Sequence, residues 1–208
     1  MAREMGHEVV SVDNCSRFKP DLCVDIMQLD YRQWPEKSFD FVWASPPCEK
    51  FSIAPCQLFS KEEREARAEE GCLLARRTRE IIDYLKPKWV AVENPLASAL
   101  WKQGIFDYPK VKVSYCMYGF PYRKNTIIAG NVPFEPKVCN GQCGNIVTVV
   151  KDGKEHRYHK EVAKQGVSQH CRGLGVQCCT HRRDDLYRIP PDLVRDILQA
   201  AQEEQGVE

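Results

Sequence analysis

The sequence lacks several features that would assign it at once to a class of protein. It contains no apolar run of about 18 residues, so a helix that spans a membrane is not expected. The first residues, Met1–His7, lack the apolar core of a signal peptide, which argues against secretion. The formal net charge is only +1, so no overall field indicates a nucleic-acid partner. We therefore expect an intracellular protein, cytoplasmic or nuclear, with no membrane partner. Its oligomeric state stays open.

Cysteine is abundant by contrast, with 11 residues in a chain of 208. Without an export signal these cysteines are expected to be reduced, because disulfides persist mainly in oxidising compartments. They are therefore free thiols, metal ligands or a catalytic nucleophile. The composition, 43% hydrophobic and 28% charged, is typical of one globular domain with a small appendage.

Strand-like and helix-like segments alternate along the first two-thirds of the chain. This alternation predicts an α/β fold on a parallel sheet, with helices on both faces. A long helix is expected to begin at Ser60, where Glu63 completes a capping box, and to end at Pro87. The expected strands are His7–Asp13, Asp21–Ile26, Phe39–Ala44, Lys88–Val92, and a pair at about Val111–Tyr118 and Thr126–Ala129.

Polar residues stand where several of these strands end. They are Asp13, Asp25, the segment Ser45–Cys48 and the pair Glu93-Asn94. In open α/β sheets, ligands bind in the crevice at the carboxyl ends of the strands. The sequence therefore predicts a functional site at that edge.

The character of the chain changes after about Asn131. We predict a catalytic domain at 1–131, a Cys/His-rich insert at 132–183 and a C-terminal helix at 184–208. Pro191 suits the first turn of that last helix. Two basic runs, Arg76-Arg77 and His181–Arg183, are either phosphate contacts or solvated faces.

Cys48 differs from the other cysteines because it follows Pro46-Pro47 after a buried strand. A buried structural cysteine is the ordinary alternative. Glu93 at a second strand end, and the cations Arg123 and Lys124 beyond a fixed turn, favour a nucleophilic site. A nearby cation lowers the pKa of a thiol and so generates thiolate.

Three segments, taken in order, resemble motifs of the DNA (cytosine-5) methyltransferases. Ser45–Ser52 resembles the Pro-Cys-Gln-x-x-Ser nucleophile motif, and Glu93-Asn94 resembles the Glu-Asn-Val motif. Tyr118–Lys124 resembles the Tyr-Gly-x-Pro stretch that leads into Gln-x-Arg-x-Arg, and is similar to a divergent branch associated with viruses and phages. The resemblance implies a doubly wound, Rossmann-like methyltransferase sheet, and it admits a viral product in a host cell.

The resemblance also implies an activity, which is methylation of carbon 5 of cytosine in DNA by S-adenosylmethionine. Cys48 would attack carbon 6 of the base, and Glu93 would hold or protonate ring nitrogen 3. The third catalytic candidate is Arg123, although whether Arg123 or Lys124 assists stays open. The partner is DNA, and the target base must leave the duplex stack.

The family assigns cofactor contacts to three further positions. Asp13 matches the acid that bonds the cofactor ribose, and Asp25 resembles the acid that contacts the adenine amino group. Pro47 is expected to contact the cofactor as well. For either acid, a turn or a helix cap is the alternative role.

The chain departs from the family pattern in two ways. Glu49, Pro95 and Tyr122 replace the usual Gln, Val and Gln. The first strand and its Phe-x-Gly-x-Gly loop, which cradles the methionine part of the cofactor, are missing, and Met1–Gly6 looks like the tail of the helix that follows them. Because loss of a central strand leaves two sheet edges unpaired, we expect weak cofactor binding. The coding region would then begin upstream, or the protein would be a decayed copy.

The segment after Cys139 offers metal ligands. Cys139 and Cys143 form a C-x3-C pair, and His156 and His159 follow. Thiolates and imidazoles at short spacing suit tetrahedral zinc, but scattered reduced thiols explain the pattern too. Later candidates are His170, Cys171, Cys178, Cys179 and His181. The segment occupies the place of the family's target-recognition region.

Two other functions stay open at this point. A non-catalytic or fragmentary homologue would keep the crevice and bind nucleic acid, which the missing glycine loop favours. An amino-methyltransferase would carry an aromatic residue after Pro-Pro. Cys48 at that place argues against this second reading, because nitrogen methylation needs no covalent nucleophile.

Overall fold

A computed structural model describes residues 1–51, 60–161, 163 and 186–204. Contacts divide the chain into two compact units. The first unit is Met1–Val111 with Ile127–Pro133, and the second is Lys112–Thr126 with Phe134–Glu208. The functional division predicted at 131 and 183 stays a prediction, and residue 183 lies outside the described residues.

The described strands form three sheets. Strands β1 (Val12–Asp13) and β2 (Leu22–Cys23) pair in parallel. A four-stranded sheet has the order β3-β4-β6-β5, from strands β3 (Phe41–Ala44), β4 (Trp89–Pro95), β5 (Lys110–Ser114) and β6 (Asn125–Gly130). Strands β7 (Ile146–Lys151) and β8 (Lys154–His159) form an antiparallel hairpin. The long helices are α1 (Lys61–Leu85) and α2 (Pro191–Glu203).

The mixed α/β class is confirmed, but several strands are shorter in the structure than the sequence predicted. The strand predicted from His7 begins at Val12, and the one predicted over Asp21–Ile26 covers only Leu22–Cys23. Among the described residues, no strand joins the β1–β2 pair to β3. The doubly wound arrangement and the missing first strand therefore stay predictions.

Helix α1 begins and ends where the sequence predicted. The Ser60 hydroxyl accepts from the Glu63 amide at 3.1 Å, and the Glu63 carboxylate accepts from the Ser60 amide at 2.7 Å. Lys86 takes a left-handed conformation just before Pro87, which ends the helix. One side of α1 packs on β4 in an apolar core that contains Ala75, Ile82, Val90, Val92, Leu100, Phe106, Ala129 and Phe51.

The segment after β2 packs on another side of α1. Leu29 and Tyr31 are buried there against Ile81 and Leu85. The Arg77 guanidinium donates to the carbonyl of Leu29 at 2.9 Å and to that of Ile26 at 3.2 Å. Arg77, the second residue of the basic run Arg76-Arg77, thus stabilises the fold rather than facing a phosphate.

The second unit contains a hairpin that the sequence analysis did not predict. Asp152 and Gly153, both with positive φ, form its turn. The predicted C-terminal helix is confirmed as α2, and it buries Leu193, Ile197, Leu198 and Ala201. The Tyr118 hydroxyl, itself within this unit, accepts from the Lys137 amide at 2.8 Å.

The described helices include none that is both long and apolar enough to cross a bilayer.

Asp21 lies just before β2 and bonds to Ser11, which lies just before β1. The pH dependence of stability can therefore test this part of the fold. The Asp21 carboxylate accepts from the Ser11 hydroxyl and amide at 2.6 and 2.7 Å, and Arg3 lies beside it. The Ser11 hydroxyl is the main cause, with its amide and Arg3, of an Asp21 pKa lowered from 3.8 to about 2. A depressed pKa adds stability above the unfolded value, and this is lost as pH falls through the folded value.

We therefore expect Asp21→Asn to be less stable than the parent above pH 3.8, with the gap closing as the pH falls toward about 2. Urea unfolding across this range measures the gap. Asp30→Asn, at an exposed acid, is the control. A gap that is constant with pH would contradict the role of the Asp21 charge.

Candidate active site

The pairing of β3 with β4 brings the candidate nucleophile and acid to one edge of the sheet. The two strands are parallel, and Ala44 lies opposite Val92. Cys48 follows β3 by four residues and is half-buried at the start of a short helical turn, Cys48–Lys50. Glu93 is 6% exposed. It was predicted beyond the end of its strand, but it lies within β4, which continues to Pro95.

Asn94 fixes the segment that leads to Cys48. Its side chain is fully buried, and its amide nitrogen donates to the carbonyl of Pro46 at 2.7 Å. Its own side-chain oxygen has no hydrogen-bond partner among the described residues. The residue next to Glu93 thus holds the backbone two residues before Cys48. In the sequence, Asn94 belongs to a motif and to the polar residues at strand ends, but neither pattern predicts this bond.

The turn after Cys48 is anchored to helix α1. Phe51 is 2% exposed and packs in the apolar core. Gly71 faces it so closely that an added Cβ would lie 2.8 Å from both Lys50 and Phe51. Lys50 also pairs with Glu70 at 2.6 Å. Bonds on both sides of Cys48 therefore limit the movement of its backbone.

Asp13 and Asp25 lie near the carboxyl ends of the parallel strands β1 and β2. Asp13 ends β1 and is half-buried, and its carboxylate accepts from the Cys15 amide at 2.7 Å. Asp25 is exposed and accepts from the Met27 amide at 2.8 Å. Both acids make the turn-type bonds that were the alternative to cofactor binding. In each acid, this bond uses one oxygen of the carboxylate.

Pro47 and Arg123 are both exposed, and they belong to different units. Pro47 stands directly before the Cys48 turn. Arg123 lies in the second unit, where burial first and then the Arg123 charge lower the pKa of His159. The charge of Arg123 therefore acts on a histidine of the Cys/His segment.

Four metal-type ligands meet in the second unit. Cys116, Cys139, Cys143 and His159 have ligand atoms that all lie within 4.8 Å of one another. Burial is the main cause of a raised pKa at the Cys116 thiol. Cys139, Cys143 and His159 were predicted from the sequence as metal ligands, whereas Cys116 was not.

No local pattern marks Cys116 as a ligand. It stands alone in the sequence, 23 residues before Cys139, and the helical turn Tyr115–Met117 after β5 carries it to the others. The candidates from His170 to His181 lie outside the described residues.

A shallow groove of about 340 Å³ runs along the outer side of α1. Its lining residues are Glu65, Ala68, Glu69, Cys72, Leu73, Arg76 and Gln103. None of the candidate catalytic or cofactor residues belongs to it. The candidate active site is defined by strand ends rather than by this groove.

These features define a mixed α/β protein in which a thiol follows one strand and a buried carboxylate lies on the neighbouring parallel strand. Residues 15–97 match the family described as C-5 cytosine-specific DNA methylase. The chain is also 33% identical to the probable DNA (cytosine-5)-methyltransferase of Frog virus 3 (isolate Goorha), over 95% of this chain and 91% of the viral protein. The chain therefore belongs to the C-5 cytosine-specific DNA methylases, a family of methyltransferases.

The viral relative agrees with the expected similarity to a viral branch. Among solved structures, the methyltransferase EhMeth of Entamoeba histolytica is similar to this chain, with 18% identity and a TM-score of 0.41. That match covers 62% of this chain and 47% of the other. The chain thus spans about half the length of that solved methyltransferase.

The Asn94 bond can be tested through stability. Asn94→Ala removes the donor to the Pro46 carbonyl and leaves that carbonyl without this partner. We expect a loss of about 1–3 kcal/mol in the free energy of unfolding, as for an unpaired buried polar group. Urea denaturation measures this loss, and Asn14→Ala, at an exposed asparagine, is the control. Equal losses in the two variants would argue against the bond.

Proposed function

We propose that this protein methylates carbon 5 of cytosine in DNA, with S-adenosylmethionine as methyl donor and Cys48 as covalent nucleophile. The observation that supports this most is the parallel register of β3 and β4. It holds the Cys48 turn beside the strand of Glu93. Membership of the family supports the reaction class.

Cys48 would open the reaction as thiolate. Its sulfur would bond to carbon 6 of a flipped cytosine, and the electron pair of the 5,6 double bond would move toward carbon 5. After carbon 5 has gained the methyl group, loss of the proton at carbon 5 to solvent would restore the double bond. This step would also expel the thiolate. The anchored backbone on both sides of Cys48 supports the role, because a nucleophile must be held close to its target.

Glu93 would support the same step from the next strand. As a carboxylic acid it would donate to ring nitrogen 3 of cytosine while charge develops on the ring. A side chain that is only 6% exposed is a strong partner for the base, because a low local dielectric strengthens such a bond. Arg123 is the proposed cationic assistant, and its neighbour Lys124 is the alternative.

The acids at the ends of β1 and β2 fit the nucleoside part of S-adenosylmethionine. Asp13 would accept hydrogen bonds from the ribose hydroxyls, Asp25 from the adenine amino group, and Pro47 would contact the cofactor beside the nucleophile. The bonds to Cys15 and Met27 hold the two carboxylates by one oxygen each. When bound, the cofactor supplies an electrophilic methyl group on a sulfonium.

Zinc, the second cofactor expected from the sequence, would have no chemical role in this reaction. A metal held by four protein ligands leaves no open position for substrate, which is the pattern of structural zinc sites. DNA is the proposed macromolecular partner.

The assignment of Cys48 can be tested by covalent trapping. DNA that contains 5-fluorocytosine cannot lose a proton from carbon 5, so the enzyme should remain bonded to it. S-adenosylmethionine is supplied in large excess, because weak cofactor binding is expected. Cys48→Ala should abolish this adduct, whereas Cys23→Ser, at an exposed thiol, should leave it intact. Denaturing electrophoresis detects the adduct. Trapping that persists in Cys48→Ala would contradict the assignment.

Glu93→Gln should slow methylation without removing the nucleophile. Glutamine keeps the shape of the side chain but cannot protonate nitrogen 3, so we expect a loss of roughly 10²–10⁴-fold in turnover. Transfer of tritium from labelled S-adenosylmethionine to DNA measures the rate. Glu49→Gln, which restores the residue usual in the family, is the matched control. A Glu93→Gln rate within twofold of the parent would overturn the role.

A further inference from the structure

We propose that Cys116, Cys139, Cys143 and His159 bind one Zn²⁺ ion in a closed structural site. Their four ligand atoms lie within 4.8 Å of one another, although they come from three separate parts of the second unit. This proposal does not depend on the methylation chemistry. It adds Cys116, for which the sequence gives no signal, as the ligand that completes the set.

The distances fit tetrahedral zinc. The Nε2 atom of His159 lies 3.5 Å from the sulfur of Cys139 and 3.3 Å from that of Cys143. Zinc–sulfur bonds of about 2.3 Å and zinc–nitrogen bonds of about 2.0–2.1 Å at tetrahedral angles give a sulfur–nitrogen separation of roughly 3.6 Å. One imidazole nitrogen thus faces two thiols at nearly the distance that a shared zinc ion imposes. All three cysteines are free thiols.

The groups around the ligands suit metal binding. The Gly141 amide donates to the sulfur of Cys139 at 3.4 Å, within the turn that joins Cys139 to Cys143. Gly141 has a φ of 88°, a conformation that glycine adopts without strain. Outer groups of this kind orient metal ligands.

The hairpin beside the cluster has little core of its own among the described residues. Of the side chains described in β7 and β8, none is buried, and Val150 is 67% exposed. A two-stranded hairpin without a core is marginally stable in water. His159 ends β8 opposite Ile146, and Cys143 comes shortly before β7. A zinc ion at this point would join the base of the hairpin to the turn after β5.

The donor set also selects the metal. Thiolate and imidazole ligands favour zinc over magnesium or calcium, which prefer oxygen ligands. Iron held by thiolates is the main competitor, and it is an outcome that the experiment must distinguish.

The test uses the full chain purified without chelator, analysed by inductively coupled plasma mass spectrometry. We expect Cys116→Ser and His159→Ala each to contain one zinc fewer per chain than the parent. Cys23→Ser and Cys48→Ala should keep the metal content of the parent. The Cys48→Ala variant separates this proposal from the methylation mechanism, because it should lose covalent trapping and still contain the zinc of the parent.

A second measurement needs no variant and therefore does not depend on how a variant folds. In the parent protein, Cys116, Cys139 and Cys143 should resist alkylation until a chelator removes the metal, while exposed Cys23 reacts at once. Peptide mapping reports each thiol separately. Iron in place of zinc, a parent without metal, or an unchanged metal content in Cys116→Ser together with rapid alkylation of Cys116 would each overturn the proposal.

Discussion

The geometry of the candidate active site depends on the parallel pairing of β3 with β4. Because both strands run in the same direction and Ala44 lies opposite Val92, the residues beyond Ala44 continue alongside Glu93 and Asn94. The Asn94 amide then bonds the Pro46 carbonyl. Among the residues that the structure describes, the Asn94 side-chain oxygen has no hydrogen-bond partner, and a buried polar atom left without one costs about 1–3 kcal/mol. The bond from the Asn94 amide to the Pro46 carbonyl offsets part of that cost.

A second restraint acts on the other side of Cys48. Phe51 fills the core beneath Gly71, and no side chain fits between them. The backbone is therefore restrained on both sides of Cys48. The Asn94 amide holds it at Pro46, and the packed ring of Phe51 holds it after the turn. Functional groups work best on backbone that is held by its surroundings. Both restraints lie within the first unit.

The sequence predicted those features that depend on near neighbours. The capping box of Ser60 and the start of α2 after Pro190 are fixed within a few residues, and both predictions are confirmed. The β7–β8 turn at Asp152-Gly153 was also readable, because Asp-Gly between alternating residues favours a hairpin. The hairpin was not predicted, because the polar, Cys/His-rich residues around this turn have weak hydrophobic periodicity. The Asn94 bond and the place of Cys116 require the tertiary fold, since their partners lie 48 and 23 residues away.

The two units are stabilised by different means. The first has a continuous apolar core between α1 and β4, and burial of that kind supplies most of the stability of a domain. In the second unit, α2 and aromatic residues such as Tyr115 and Tyr118 are buried, but the hairpin contributes no buried side chain to them among those described. Small segments without a core are commonly held by disulfides or metals. The thiols at its base are free rather than paired. The proposed metal would therefore add to the hydrogen bonds that already tie this hairpin to its unit, such as the one that the Asn145 side-chain amide donates to the Phe120 carbonyl at 3.0 Å.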